Sequence, residues 1–207
     1  MANDNKKKKR AQAAREAERA RKARRDQLVL GLGVLVLVGG LVGFVAFGGG
    51  EPDVGVTNAG AWDLPALDEE LDAGLADDGR FRLADYEGTP LVVNFFASWC
   101  TACESELPRF RDAAVLFDDE LEIVFVNSNE SGNWRPMAER TGITDHPLIR
   151  DINGTADNGL YRSLGGTGGM PITAFYDENG QLVNLDRGEL STDALATRLA
   201  QLYGLTR

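Results

Sequence analysis

Charged positions crowd the first 27 residues, vanish between Leu28 and Phe47, and then return between short apolar runs. The twenty residues LVLGLGVLVLVGGLVGFVAF carry no charged or strongly polar side chain. As a helix rising 1.5 Å per residue they would measure roughly 30 Å, the thickness of a bilayer's hydrocarbon core. A buried helix of a water-soluble domain is shorter or keeps a polar stripe, so the pattern predicts a transmembrane helix over 28–47, in contact with lipid. Residues 1–27 hold eleven Lys or Arg against four Asp or Glu, a segment charge of +7. By the positive-inside rule this basic tail is expected in the cytoplasm, with everything from about residue 51 outside, which makes a single-pass cell-membrane protein. A cleaved signal peptide is the competing reading. Its apolar region is normally shorter, and its small-x-small site closer, than Ala59-Gly60-Ala61 is to this run. Gly39 and Gly43 form a G-x-x-x-G, a spacing that permits close helix pairing.

Residues 48–60, GGGEPDVGVTNAG, lack periodicity and predict a flexible tether, leaving 61–207 for one domain. PLVVNFFA, residues 90–97, is β-branched, aromatic and nearly all apolar, which predicts a central strand covered on both faces. Leu107, Phe110, Ala114 and Phe117 then recur at helical spacing and predict one apolar stripe. EIVFVNSN, 122–129, reads as a second buried strand. WRPMAERTG from Trp134 reads as a short helix stopped by Gly142, and HPLIRD as an extended segment. ADNGLYRSL, 156–164, predicts another short helix. ITAFYDENGQLVNLD predicts a hairpin turning at Asp177 to Gly180. STDALATRLAQLYG predicts a closing helix with Leu195, Leu199 and Leu202 on one face and Ser191 or Thr192 as its cap. This order predicts an α/β fold, a mixed sheet with an antiparallel edge hairpin and helices on both faces.

Residues 28–207 carry eleven basic against twenty-eight acidic side chains, a charge of −17. A folded part of that sign repels polyanions, so no nucleic acid is expected as a partner. The only two cysteines, Cys100 and Cys103, stand in ASWCTACESELP, and the only histidine, His146, lies more than 40 residues away. A zinc site needs three or four ligands and an iron–sulfur cluster four cysteines, so no metal is expected. A purely structural disulfide closing so small a loop would remove little entropy from the unfolded chain. C-x-x-C after a strand in a βαβ setting, exported to a compartment where disulfides form, is the signature of a redox dithiol. If Cys100 sits where strand meets helix, unpaired N–H groups and the helix dipole favour its thiolate. Cys103, one turn on, would then resolve the mixed disulfide. The cysteines themselves carry the two electrons, so no separate cofactor is implied. Trp99 would shield one side of the sulfur, or simply belong to the core. Three other signals are discounted. DINGTADNG from Asp151 has Ala156 and Arg162 where a calcium loop needs Gly and Glu; GGTGG, 165–169, lacks the lysine of a phosphate loop; and His146 reads as structural or exposed.

VVNFFASWCTACESELPRF, with FRLADYEGTPLVVNFFASWC, DHPLIRD and GGMPITAFYDENGQLV, resembles the membrane-anchored thioredoxin-like thiol-disulfide oxidoreductases over most of residues 62–205. These bacterial proteins are associated with reduction of apocytochrome c and other exported dithiols. The resemblance implies a thioredoxin-like fold with Cys100 and Cys103 at a helix N-terminus. It also implies a cis Pro171 facing them, with Trp99, Met170 and Pro171 meeting the client and the Met170 backbone docking an extended segment. It makes Glu106 a proton-exchanging partner of Cys103 and Pro108 a proline that divides the helix. The buried aspartate that cytosolic thioredoxins carry six residues before the first cysteine is here Asn94, and Thr101-Ala102 is not the Pro-containing pair common between the cysteines. The expected activity is protein-disulfide reduction in exported proteins, with apocytochrome c as a candidate client and a polytopic membrane thiol carrier as electron donor. An extracytoplasmic disulfide oxidase or isomerase is the alternative enzyme. A chaperone or assembly adaptor on a thioredoxin scaffold is the alternative of another class.

Overall fold

The computed structural model describes residues 59–68 and 78–206. The expected tail, span and nearly all of the tether lie outside them. Among the described residues no helix is long and apolar enough to cross a membrane.

Six consecutive buried residues form β3, Leu91–Phe96, the central strand of a five-stranded sheet. It pairs in parallel with β4, Glu122–Ser128, which pairs in parallel with β5, Leu148–Asp151. On its other side β6, Ile172–Tyr176, runs antiparallel and continues through the Asp177–Gly180 turn into β7, Leu182–Arg187. The order is therefore β5-β4-β3-β6-β7. Successive side chains of a strand point to opposite faces, so a strand buried at every position must be covered twice.

One cover is helical. Leu107, Phe110, Ala114 and Phe117 of α1, Thr101–Leu116, and its capping residue pack with Val92, Phe96, Ile123 and Phe125 of the sheet. Met137 and Ala138 of α2, Arg135–Thr141, join them, as do Leu195 and Leu199 of α4, Thr192–Tyr203. Gly142 takes a left-handed conformation at φ 72° to end α2, and the Ser191 side chain accepts the Ala194 N–H to begin α4. The opposite face, with Val93, Phe95, Val124 and Ala174, is covered by Leu160 and Tyr161 of α3, Leu160–Ser163, and by Trp62, Leu64, Phe81 and Leu83.

Three expectations change. The proline does not divide the helix: α1 runs unbroken through Pro108. An interior proline costs a helix about 3 kcal/mol. Its neighbours Leu107 and Phe110 are fully buried, and such burial stabilises by roughly 1.5–3 kcal/mol for each side chain. The helix expected over 156–164 is confined to α3. The Asp151 carboxylate accepts the Leu160 and Tyr161 N–H groups at 3.1 and 2.8 Å, and a Cβ on Gly159 would meet the Gly154 carbonyl oxygen at 2.2 Å, so 156–159 is held in turns. A ribbon of β1, Asp63–Pro65, and β2, Arg80–Arg82, was not expected. Asp63 joins its strands by accepting from Arg80 Nε at 2.6 Å and Arg82 Nε at 3.2 Å, and Ala66 bridges to Ile149 at the outer edge of β5.

Phe110 is the deepest aromatic of the α1 stripe. Phe110→Ala is expected to lower stability by about 3–5 kcal/mol, seen as a lower urea midpoint at unchanged m-value. A loss under about 1 kcal/mol would contradict its placement.

Candidate functional site

The edge of the sheet where β3, β4 and β5 end and β6 begins gathers the residues singled out in the sequence. A disulfide joins Cys100 and Cys103, whose Cα atoms lie 5.2 Å apart. Cys100 is the N-cap of α1, and its sulfur accepts the Cys103 N–H at 3.1 Å. One of the four N–H groups that a helix start leaves without partners is thus aimed at the sulfur. The same donor and the positive end of the dipole would hold a Cys100 thiolate after reduction. Cys103 is fully buried, with its sulfur 3.9 Å from the Phe95 carbonyl oxygen. Cys100 keeps 4% of its surface and lies at the rim of the core, between Trp99, which is 42% exposed, and the exposed Thr101. Of the two cysteines, Cys100 is therefore the one nearer solvent.

Glu106 follows Cys103 by one turn on the same buried side of α1 and has no exposed surface. Asn94 Nδ2 donates to its Oε1 at 2.7 Å and the Leu190 N–H to its Oε2 at 2.9 Å. Asn94 also donates to Thr173 Oγ1 at 3.1 Å across the β3–β6 pair. The residue at 94 thus orients the acid through its side chain. Burial first, and Glu189 nearby, push the Glu106 carboxyl up to about 7, against the two hydrogen bonds and Arg109, which favour the charge. Among the described residues Asn94 Oδ1 has no hydrogen-bond partner, and an amide that turns over offers an acceptor where it offered a donor. The asparagine can therefore meet Glu106 in either protonation state.

The Met170–Pro171 peptide is cis. Phe95 pairs with Ile172, so the next step of the antiparallel ladder sets Pro171 opposite Phe96, at the end of β3 from which the Cys100 loop leaves. Met170 packs against both halves of the core, including the cluster that contains the cysteines. Trp99, Cys100, Met170 and Pro171 thus lie at this end of the sheet, with Cys103 buried behind Cys100 and Glu106 one turn further along α1, over Asn94 of β3. Glu104, by contrast, pairs with Arg140 at 2.8 Å on the surface.

Glu130 escaped the sequence reading. Its carboxylate accepts from the Ser98 N–H at 2.8 Å, the Ser98 hydroxyl, Asn127 Nδ2 at 2.9 Å, and the Ser131 and Gly132 N–H groups at 2.9 and 2.7 Å. These bonds outweigh its desolvation and hold its carboxyl below the usual range. Trp99 Nε1 donates to the Asn129 carbonyl at 2.9 Å beside it. The loop after β4 therefore grips the two residues that precede Cys100. An acid in the run NSNES carries no local signal of that task, because Ser98, the residue it grips, lies 32 residues upstream. A cleft of about 300 Å³ lined by Trp62, Arg82, Leu83 and Asn179 contains none of these residues.

The raised Glu106 pKa fixes a pH dependence. A carboxyl that binds its proton more tightly folded than unfolded leaves stability fullest below about 4.5. Stability declines as pH rises from there to about 7 and is level beyond. The full change is on the order of 3 kcal/mol. Urea unfolding of the oxidised chain from pH 4 to 8 should show this decline, and Glu106→Gln should remove it. An unchanged slope in the variant would contradict the assignment.

Residues 63–184 match the model of the AhpC/TSA family. A thiol-disulfide oxidoreductase ResA of Geobacillus thermodenitrificans is 30% identical over 128 residues, which cover 60% of this chain and 70% of that protein. A ResA of Oceanobacillus iheyensis is 25% identical over 179 residues, covering 84% and 88%. Among solved structures, the exposed lipoprotein thioredoxin Etrx1 of Streptococcus pneumoniae is 26% identical and superposes with a TM-score of 0.53, covering 69% of this chain and 99% of that one. A thioredoxin-family thiol:disulfide interchange protein of Chlorobium tepidum, 24% identical with a TM-score of 0.54 over 71% and 95%, shares the fold. With a cysteine pair capping a helix on a thioredoxin-like sheet, the chain belongs to the AhpC/TSA family and is a thiol-disulfide oxidoreductase.

Proposed function

We propose that this protein reduces disulfides in exported proteins from the outer face of the cell membrane. Residues 28–47 would anchor it in the bilayer with the basic tail 1–27 inside, and a polytopic membrane thiol carrier would return it to the dithiol form. The observation that carries the reducing direction is the buried Glu106, held by Asn94 and the Leu190 N–H one turn from Cys103. A carboxyl of pKa about 7 beside a buried thiol is a proton acceptor matched to neutral pH. It also adds negative character that disfavours a second anion close by.

In the reducing cycle the Cys100 thiolate attacks one sulfur of the client disulfide and expels the other as a thiolate. Glu106 takes the proton of Cys103, whose sulfur attacks Cys100 and releases the client's second thiolate. Two electrons leave the Cys100/Cys103 dithiol and the two client sulfurs gain them. The extended backbone at Met170, beside cis Pro171, would receive the client as an added strand, with Trp99 lying over the sulfurs. Apocytochrome c fits as client because its haem-attachment C-x-x-C-H segment is itself an exported dithiol that oxidises readily.

Two measurements test the reading. A midpoint potential below about −200 mV is expected, whereas one near −120 mV would favour the oxidase alternative. Cys103→Ala should trap exported proteins on Cys100 as mixed disulfides, resolved by adding dithiothreitol, with C-x-x-C-H proteins among them. Recovery of no exported protein would overturn the proposal and leave the scaffold-type adaptor reading.

A further inference from the structure

GGTGG, residues 165–169, stands between α3 and the cis peptide; Arg187 donates to the Gly165 carbonyl at its start, and the rest wraps around the Tyr161 side chain. Tyr161 is fully buried, and its ring packs on Phe95 at 5.9 Å between centroids. Phe95 is the residue whose carbonyl oxygen lies beside the Cys103 sulfur. The Tyr161 hydroxyl donates to the Gly169 carbonyl oxygen at 2.7 Å and accepts the Gly168 N–H at 2.9 Å. Its own backbone is fixed as well: Asp151 accepts the Tyr161 N–H at 2.8 Å, and the Tyr161 carbonyl accepts the Gly166 N–H at 2.9 Å.

The glycines make this enclosure possible. A Cβ on Gly166 would lie 2.4 Å from the Tyr161 ring, and Gly168 has φ +112°, which side chains other than glycine's rarely allow. A five-residue loop with four glycines is intrinsically loose, since glycine loses the most backbone freedom when it is ordered. Here the phenol supplies a donor and an acceptor at its last two positions, directly before Met170.

We infer that Tyr161 is a positioning residue for polypeptide clients: its hydroxyl fixes Gly168 and Gly169 so that the Met170 backbone is presented, already ordered, to an extended disulfide-bearing segment. The inference rests on the reading that clients dock at Met170. A client that pairs with pre-ordered backbone is spared the cost of ordering the loop. A small disulfide that meets only Cys100 gains nothing from it. Tyr161 therefore separates two substrate classes at one dithiol.

The test compares the full chain with Tyr161→Phe and Gly166→Ala, using dithiothreitol as recycling reductant. The substrates are an oxidised C-x-x-C-H peptide of about 15 residues and 5,5′-dithiobis(2-nitrobenzoate). Phenylalanine keeps the packing on Phe95 and removes only the hydroxyl, and alanine at 166 displaces the ring from the other side. Both variants should raise KM for the peptide by roughly ten-fold, the effect of losing two ordinary hydrogen bonds, with kcat within two-fold. The rate with the small disulfide and the midpoint potential should stay at the wild-type values. Wild-type KM for the peptide in both variants would overturn the inference alone, as would an equal loss on both substrates. A wild-type protein that reduces the small disulfide but not the peptide would overturn the client reading and the inference with it.

Discussion

The hydrogen bond from the Cys103 N–H to the Cys100 sulfur is the contact on which the rest of the site depends. It exists because Cys100 ends a loop and caps a helix at once, so its sulfur replaces the oxygen that serine or aspartate would offer at such a start. The same contact sets the division of labour. The capping residue must stay at the rim of the core, while the residue three positions on is turned inward against β3, where the Phe95 carbonyl meets its sulfur. Two identical thiols thereby acquire different access, different electrostatics and different partners.

Three groups of polar contacts surround it. Below it, Glu106, Asn94 and Thr173 form a polar line inside an otherwise apolar layer, spanning α1, β3 and β6. A buried acid of this kind is costly unless it is hydrogen-bonded, and both of its oxygens are. In front, Glu130 and the Asn129 carbonyl grip Ser98 and Trp99, so the approach to Cys100 is set by the loop after β4. On the far side the Tyr161 phenol holds the glycines before Met170.

Much of this was legible in the sequence because it follows from local rules. PLVVNFFA is apolar at every position but Asn94, which only a doubly covered strand tolerates, and the stripe from Leu107 to Phe117 could only be one face of a helix. C-x-x-C with too few other ligands for a metal pointed to redox chemistry, and resemblance supplied Glu106 and Pro171. What stayed hidden depends on long-range partners. The β1–β2 ribbon has three-residue strands, too short for an alternation to register, and takes its definition from Asp63 with Arg80 and Arg82. The grip of Glu130 on Ser98, the packing of Tyr161 on Phe95 and the side-chain role of Asn94 are set by partners distant in the chain. The resemblance and the local rule against interior prolines both had Pro108 divide the helix, whereas the burial of its neighbours, which holds α1 together, is tertiary.

The central claim is that one fold makes two neighbouring thiols chemically unequal. It is tested most directly by timed alkylation of the freshly reduced chain with iodoacetamide at pH 7, followed by peptide mass mapping. Cys100 should be modified at least ten-fold faster, because only its sulfur combines access with a thiolate-stabilising N–H and helix dipole. Equal rates, or faster labelling of Cys103, would contradict the account.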